Sequence, residues 1–250
     1  MVATGSIVIT ALVGLFDDYL NVRKIGPYGG GLSIGHRLVV YTIIALVVAW
    51  WFYFKLEWDF IRIPFLATYN LGFWYIPVVI FVVVATAFSV NEIDGLDGLA
   101  GGTLMASFLS FGAIAFVQGR YDLAAFCGVI VGSLLAFLWF NIAPARFFMG
   151  DTGSMSLGVT LAIIALMTNT VLLLPIIGFL FVIESLSVII QVTSKKLRHG
   201  KKIFLSAPIH HHFEAKGWPE TKVVMRFWVI SAMMSVIGLV IFLMDRGGWM

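Results

Sequence analysis

Charge and cysteine are both scarce in this sequence. Charged residues make up 12% of its 250 residues, about half of the ~25% that is typical of soluble domains, whereas hydrophobic residues make up 60% and the mean hydropathy is +1.00. A soluble globule cannot bury so much apolar surface, so soluble and disordered proteins are excluded. Cys127 is the only cysteine, which excludes a disulfide within one chain and a cysteine-based zinc site.

The net charge is also small, at +3, and the basic residues lie in loops beside the membrane, so no nucleic-acid partner is indicated. No internal repeat, linker or low-complexity tract divides the chain. We therefore expect an all-α fold, a polytopic transmembrane helix bundle, in which residues 1–250 form a single integral membrane domain.

Eight apolar runs are candidates to cross a ~30 Å hydrocarbon core as helices. The sequence predicts spans 1 to 8 at Val2–Phe16, Leu38–Phe54, Phe73–Val90, Gly102–Val117, Leu123–Phe140, Met155–Leu174, Pro175–Val192 and Met225–Met244. Each span takes the chain to the other side of the membrane. The loops that follow the odd-numbered spans therefore share one side, called side A below.

Side A carries twelve of the 16 basic residues, and an excess of lysine and arginine marks the cytoplasmic side. Those twelve are Arg23, Lys24, Arg37, Arg146, Lys195, Lys196, Arg198, Lys201, Lys202, Lys216, Lys222 and Arg226. Side A also holds all five histidines and most of the acidic residues. Titratable groups gathered on one face favour an enzyme over a transporter, which is expected to place such groups near the membrane midplane.

Three side A segments carry aspartates that suit a cation bridged to phosphate. Asp17 and Asp18 follow span 1, where their repulsion and the helix C-terminus favour a bound cation over a solvated pair. Asp94 and Asp97 lie three residues apart among glycines, in either a ligand-binding turn or an ordinary turn capped by aspartates. Asp151 precedes span 6 and is either its N-cap or a site residue.

Aromatic, histidine and buried acidic residues add to this pattern. The rings of Phe147 and Phe148 either stack on a base or anchor at the membrane interface. The three histidines 210–212 cannot all face one way on a helix, and they suit either hydrogen bonds to phosphate or a poorly specified zinc site. Glu184 lies inside span 7, at a cost of about 2.5–3.5 kcal/mol, and is either functional or merely paired or protonated there.

These residues together indicate metal-assisted phosphoryl transfer at the cytoplasmic membrane surface. Carboxylates would hold Mg²⁺, basic and histidine side chains would bind the remaining phosphates, and a groove between helices would hold a lipid. Residue types and spacing name neither the sugar nor the nucleotide.

At these motifs the sequence resembles the phospho-N-acetylmuramoyl-pentapeptide-transferase family, within the superfamily of polyprenyl-phosphate N-acetylhexosamine-1-phosphate transferases. The superfamily shares the aspartate motifs, whereas the histidine motif resembles the muramoyl-pentapeptide branch. The matching stretches cover nearly the whole chain and are GLFDDYLNVRK, NEIDGLDGLAGG, NIAPARFFMGDTGSMSLG, FVIESLSVIIQV and PIHHHFEAKGWPETKVVMRFW.

The resemblance implies a reaction and a place for it. Phospho-MurNAc-pentapeptide would pass from UDP-MurNAc-pentapeptide to undecaprenyl phosphate with Mg²⁺ as cofactor, giving UMP and lipid I for peptidoglycan synthesis. The active site would face the cytoplasm in the bacterial inner membrane, among membrane lipids. Family members are often dimers, so a homodimer is an expectation. A phosphate monoester with a second pKa near 6 favours direct attack over a covalent phospho-enzyme, although residue types leave both open.

The resemblance also implies roles for individual residues. Asp17, Asp18 and Asp151 would be catalytic, and Asp151 would bind Mg²⁺. The substrate-binding residues would be Asn91, Asp94, Gly95, Leu96, Asp97, Asn141, Phe148, His210, His211 and His212.

Two features depart from the family pattern. Family members have ten helices, and the eight spans here match the last eight, so we expect this chain to lack the first two helices and the cytoplasmic loop between them. Arg37 stands where the family often has lysine, which keeps the charge but changes the geometry.

Two alternative functions stay open. One is a transferase of another UDP-N-acetylhexosamine, which the histidine motif disfavours. The other is a non-catalytic scaffold or an ion-coupled transporter, which would tolerate the loss of Asp17, Asp18 and Asp151 together.

Overall fold

The computed structural model describes residues 2–26 and 30–247. Long apolar segments become α-helices in a membrane because every backbone polar group must then be paired within the segment. Across the described ranges, seven helices are long and apolar enough to cross a membrane, or eight if one bent pair counts as a single span. The predicted all-α transmembrane bundle is therefore confirmed.

The helices follow one another, most of them with short connections. They are α1 (Val2–Val22), α2 (Ile34–Trp50), α3 (Tyr75–Ile93), α4 (Leu99–Val117), α5 (Tyr121–Asn141), α6 (Gly150–Met167), α7 (Leu174–Ile177), α8 (Phe179–Leu197), α9 (Ile209–Ala215) and α10 (Glu220–Gly247). Helix α2 continues as a π-helical turn, Trp51–Lys55. The antiparallel strands β1 (Phe60–Arg62) and β2 (Thr68–Asn70) form a hairpin in the longest connection, which joins α2 to α3.

Two predicted spans differ from the structure, one in its bounds and one in its shape. Predicted span 6, Met155–Leu174, begins earlier, at Gly150, and ends at Met167, where Asn169 takes a left-handed conformation with φ of 50°. Predicted span 7, Pro175–Val192, is broken: the helical segment Val171–Ile177, which ends with α7, meets α8 at an angle of 79° beside Gly178. Glycine and proline are the usual causes of such a bend, and hydropathy alone does not register it.

The predicted ends of spans 1 and 3 were also wrong. Helix α1 continues to Val22, so Asp17 and Asp18 lie on the helix rather than after it. Helix α3 continues to Ile93 and includes Asn91. Hydropathy marks only the apolar part of a helix, whereas these helices extend past that part.

Helix α6 lies at the centre of the bundle and packs against α1 and α3. Glycines allow the close approach: a Cβ added to Gly14 would lie 2.4 Å from the Asp151 carbonyl oxygen, and one added to Gly158 would lie 2.9 Å from the Ala87 Cα. Small residues serve this purpose in membrane helices generally. The packing places the end of α1, the end of α3 and the start of α6 beside one another.

Candidate active site

Arg37, in the first turn of α2, joins three other helices at this end of the bundle. Its Nε donates to Asp17 Oδ2 at 2.9 Å, and its Nη2 donates to Asp151 Oδ2 at 2.7 Å. Its Nη1 donates to Asn91 Oδ1 at 3.1 Å. A planar guanidinium suits several oxygen acceptors at fixed angles, so one arginine orders groups from α1, α3 and α6.

Asp151 is buried in the first turn of α6, with 7% of its surface exposed. The residue before the helix is Met149, so the interpretation of Asp151 as an N-cap is wrong. Its Oδ1 accepts a hydrogen bond from Asn91 Nδ2 at 2.6 Å, and the same nitrogen donates to Ser154 Oγ at 3.0 Å. Both carboxylate oxygens of Asp151 are therefore held in place.

Asp17 and Asp18 face different partners. The Oδ1 of Asp17 accepts the Leu32 backbone N–H at 2.5 Å, and Asp17 is fully buried. Asp18 accepts the backbone N–H groups of Asp151 and Thr152, each at 2.9 Å, and the Thr152 hydroxyl at 2.5 Å. Asp18 thus satisfies N–H groups that the start of a helix leaves unpaired, and its charge suits the helix dipole.

Asp94 lies in the turn after α3, where negative charge accumulates. Burial and, to a smaller extent, the charges of Asp151 and Asp18 together raise the pKa of Asp94 from 3.8 to about 7. The Gly150 backbone N–H opposes this shift. The site therefore carries more negative charge than one guanidinium neutralises, and a bound cation would relieve the excess.

Replacing Asp94 with asparagine is expected to stabilise the metal-free protein in a pH-dependent way. Because the folded pKa lies above the unfolded one, the Asp94 carboxyl costs stability increasingly between about pH 4 and pH 7, and the full cost applies above pH 7. In thermal unfolding with EDTA, Asp94→Asn should raise the midpoint most at pH 8 and hardly at all at pH 4. An equal effect at both values would contradict this prediction.

Asp97 and Asn141 bind backbone groups of neighbouring segments. Asp97 Oδ2 accepts the Ala145 N–H at 2.9 Å, while the Asp97 N–H donates to Glu220 Oε1 at 2.7 Å. Asn141 Oδ1 accepts the Gly98 N–H at 3.0 Å. Asp97 therefore fixes the loop between α5 and α6, whereas Asp94, on the same turn, is coupled to Asp151.

The aromatic pair that precedes α6 consists of Phe147, which packs against other rings although 45% of its surface is exposed, and Phe148, which is more exposed. Phe147 packs against Phe137 and Phe140, with ring centroids 5.3 Å and 5.8 Å away. Phe148 is 74% exposed. The predicted site residue Leu96 is partly buried against the main apolar core. Of these residues, Phe148 has a ring face available for a ligand.

The three histidines lie on α9 and have three different partners, as their spacing predicted. His211 Nδ1 lies 2.6 Å from Glu214 Oε2, and His212 Nδ1 accepts the Leu205 N–H at 3.0 Å. His210 is fully buried, with Nδ1 3.0 Å from Glu184 Oε2. Nδ1 of His211 and of His212 is therefore hydrogen-bonded, whereas Nδ1 of His210 lies within ion-pair distance of Glu184 without a hydrogen bond among the described residues. The structure brings His210 to the turn after α3 but records no contact of His212 with the aspartates.

A divalent cation fits the residues of the site. In residues 2–26 and 30–247, no group of three or more histidine, cysteine, aspartate or glutamate side chains could hold a metal by itself. Mg²⁺ does not require such a cage, because one or two carboxylates usually bind it together with substrate phosphates and water. Asp151 and Asp94 supply carboxylates where negative charge is in excess.

Known proteins are similar to this sequence over most of its length. The family model for glycosyl transferase family 4 matches residues 1–169. The phospho-N-acetylmuramoyl-pentapeptide-transferase of Desulforapulum autotrophicum is 40% identical over 252 aligned residues, covering 94% of this chain and 70% of the relative. That of Syntrophus aciditrophicus is 42% identical over 246, covering 91% and 68%. The chain belongs to the phospho-N-acetylmuramoyl-pentapeptide-transferase family.

Membership of the phospho-N-acetylmuramoyl-pentapeptide-transferase family makes the protein a transferase, and its helices make it a multi-pass membrane enzyme. The family resemblance seen in the sequence motifs is confirmed. A further relative with the same name, from Rubrobacter xylanophilus, is 42% identical over 241 aligned residues, covering 93% of this chain and 72% of the relative.

Sequence reasoning about this transferase missed several contacts of the site. Arg37 was counted among the basic residues of side A and noted as a departure from the family but was not assigned to the site, and Glu220 and Thr152 were not singled out. Thr152 directly follows Asp151, so a hydroxyl beside a helix start was an available signal. The contact of Glu220 with Asp97 joins residues that are 123 positions apart, and no local sequence pattern predicts it.

Proposed function

We propose that the protein transfers phospho-MurNAc-pentapeptide from UDP-MurNAc-pentapeptide to undecaprenyl phosphate, forming lipid I and UMP. One observation carries the proposal: Asp17, Asp151 and Asn91 converge on Arg37 at one end of a membrane-spanning bundle. The excess of basic residues in the side A loops supports the cytoplasmic face of the bacterial inner membrane as the location.

The reaction is a displacement at phosphorus. An oxygen of undecaprenyl phosphate forms a bond to the β-phosphorus of the UDP-sugar, the bond from that phosphorus to the bridging oxygen breaks, and UMP leaves with the electron pair. The lipid phosphate has a second pKa near 6, so it is largely deprotonated at pH 7. The attack therefore needs positioning and charge neutralisation more than a strong base.

The aspartates would have different roles in positioning the phosphates and neutralising their charge. Asp151, with Asp94 beside it, would hold Mg²⁺, which when bound neutralises charge that develops on phosphate oxygens. Asp17, fixed by Arg37, would orient the acceptor phosphate. Asp18 would act through α6, because its carboxylate holds the backbone of Asp151 and Thr152.

An apolar groove between α3 and α8 suits the polyprenyl chain. The groove has a volume of about 340 Å³, and most of its lining is apolar, including Phe81, Phe88 and Phe181. Ser89 and Ser185 also line it and are hydrogen-bonded to each other at 2.7 Å. Ser89 precedes Asn91 by two residues on α3, so the groove reaches the end of the bundle that carries the aspartates.

The remaining predicted residues would bind the nucleotide and its diphosphate. The exposed ring of Phe148 suits stacking on uracil, and the turn of Gly95, Leu96 and Asp97 gives the backbone close access to a ligand. Asn141 fixes that turn through Gly98, and His210 and His211 of α9 adjoin it, with His212 next along the helix. The homodimer stays a prediction, which sedimentation in detergent would test.

Competition between two UDP-sugars tests the proposed substrate. Purified protein with Mg²⁺ and undecaprenyl phosphate would receive equal amounts of UDP-MurNAc-pentapeptide and UDP-N-acetylglucosamine, and mass spectrometry would identify the lipid product. We expect only the muramoyl-pentapeptide product. If the only lipid product carried N-acetylglucosamine, the proposal would be wrong and the protein would act as one of the related sugar transferases.

A further inference from the structure

Glu184 is a buried carboxylate to which the proposed reaction gives no role. It lies on α8, and both it and His210 are fully buried. Its Oε2 lies 3.0 Å from His210 Nδ1, close enough for an ion pair but outside hydrogen-bond geometry, and among the described residues neither carboxylate oxygen nor Nδ1 has a hydrogen-bond partner. A buried carboxylate is costly unless it is paired, so Glu184 and His210 depend on each other.

The other ring nitrogen of His210 points toward the active site. His210 Nε2 is buried without a hydrogen-bond partner among the described residues. A Cβ added to Gly95 would lie 2.4 Å from Nε2 and 3.0 Å from Cε1, so a residue with a side chain would displace the ring. Gly95 directly follows Asp94, the carboxyl coupled to Asp151. The imidazole therefore bridges the buried Glu184 and the turn that carries the site.

We propose that Glu184 is a positioning residue, which holds the His210 ring by Nδ1 so that Nε2 faces the Asp94–Gly95 turn and the diphosphate of the UDP-sugar. This inference rests on the proposed function. A carboxylate on one imidazole nitrogen fixes the ring orientation and the tautomer, and thereby sets what the other nitrogen offers to a ligand. Glu184 would thus act on the substrate only through His210.

Steady-state kinetics with isosteric variants test the proposal. Glu184→Gln should lower kcat/KM for UDP-MurNAc-pentapeptide by roughly 10- to 100-fold, the usual effect of removing a partner that orients a histidine. The KM for undecaprenyl phosphate should not change. Glu184→Asp, which keeps the charge but shortens its reach, should give a smaller loss. Gly95→Ala should reproduce the loss with Glu184 intact.

A control and a double variant separate positioning from general damage. Ser187→Ala removes a buried hydroxyl of α8 whose hydrogen bond goes to the Glu184 backbone carbonyl, and it should leave activity within about twofold of the original. His210→Asn combined with Glu184→Gln should be no worse than His210→Asn alone, because both changes interrupt one unit. Losses that multiply, or an equal change in the lipid KM, would overturn the proposal.

A spectroscopic readout keeps this inference separate from the proposed function. Nitrogen-15 NMR of histidine-labelled protein should show His210 protonated at Nδ1, and Glu184→Gln should shift only that resonance pair. If the protein transfers no phospho-sugar but the His210 signals respond in this way, the proposed function fails while the pairing stands. If the His210 signals did not change in Glu184→Gln, the pairing would be overturned even if the protein transferred the phospho-sugar.

Discussion

Asp151→Asn is expected to abolish Mg²⁺-dependent turnover while leaving the protein folded. The loss should reach roughly three orders of magnitude, equivalent to about 4 kcal/mol of transition-state stabilisation. Asparagine keeps the shape of the side chain and one oxygen acceptor for Arg37, which now donates to Asp151 at 2.7 Å. It removes the negative charge that would hold the cation. UMP release at saturating Mg²⁺ measures the loss of turnover, and thermal unfolding shows whether the variant is still folded.

Ser156→Ala is the matched control for Asp151→Asn. Ser156 is also buried on α6, and among the residues that the structure describes its hydroxyl donates only to the backbone carbonyls of Thr152 and Gly153. Its replacement should change turnover by less than about twofold. Full activity in Asp151→Asn would remove Asp151 from the metal role, and equal losses in both variants would attribute the effect to damage of α6.

Arg37→Met is expected to have the second large effect, on stability as well as activity. The change leaves Asp17 and Asp151, which are 0% and 7% exposed, without the cation that joins them. An unpaired buried charge costs about 3–5 kcal/mol, so the thermal midpoint in EDTA should fall sharply. Mg²⁺ should then restore more stability in the variant than in the original protein, because the carboxylates gain a replacement cation.

Arg37→Lys tells charge apart from geometry at the same position. Lysine supplies one compact charge but no planar fork, so it should retain most of the stability and only part of the turnover. We expect turnover to fall by at least about 100-fold in Arg37→Met and by less in Arg37→Lys. Turnover of Arg37→Met equal to that of the original protein would contradict the role assigned to this guanidinium.

Composition and hydropathy were enough to predict the bundle, because a membrane admits few arrangements for an apolar chain. They could not predict where the helices end or bend. Asp17 and Asp18 were placed after a helix because hydropathy stops at Phe16, whereas α1 continues to Val22. The break at Gly178 depends on local backbone geometry that a mean over many residues conceals.

The motifs identified which residues would gather at the site, but not how they would pair. Counting the spans placed Asp17, Asp94 and Asp151 on side A. The structure likewise places these three aspartates at the same end of the bundle. The division of the aspartate pair between Arg37 and the start of α6 depends on packing between distant segments. No spacing in the sequence encodes such a contact.

Glu184 also shows that the sequence identifies an unusual residue without identifying its partner. Its position inside a predicted span marked it as unusual, because a carboxylate there is costly. Its partner, His210, lies in a motif 26 positions along the chain, and the pairing became visible only in three dimensions.

UMP release by the purified protein tests the central claim most directly. The assay would supply UDP-MurNAc-pentapeptide with or without undecaprenyl phosphate, and with Mg²⁺ or EDTA. The account predicts UMP, and the matching lipid product, only when both the acceptor lipid and Mg²⁺ are present. Release that is undiminished in EDTA, or no release by protein whose thermal unfolding shows it to be folded, would contradict a metal-assisted phosphotransferase at this site.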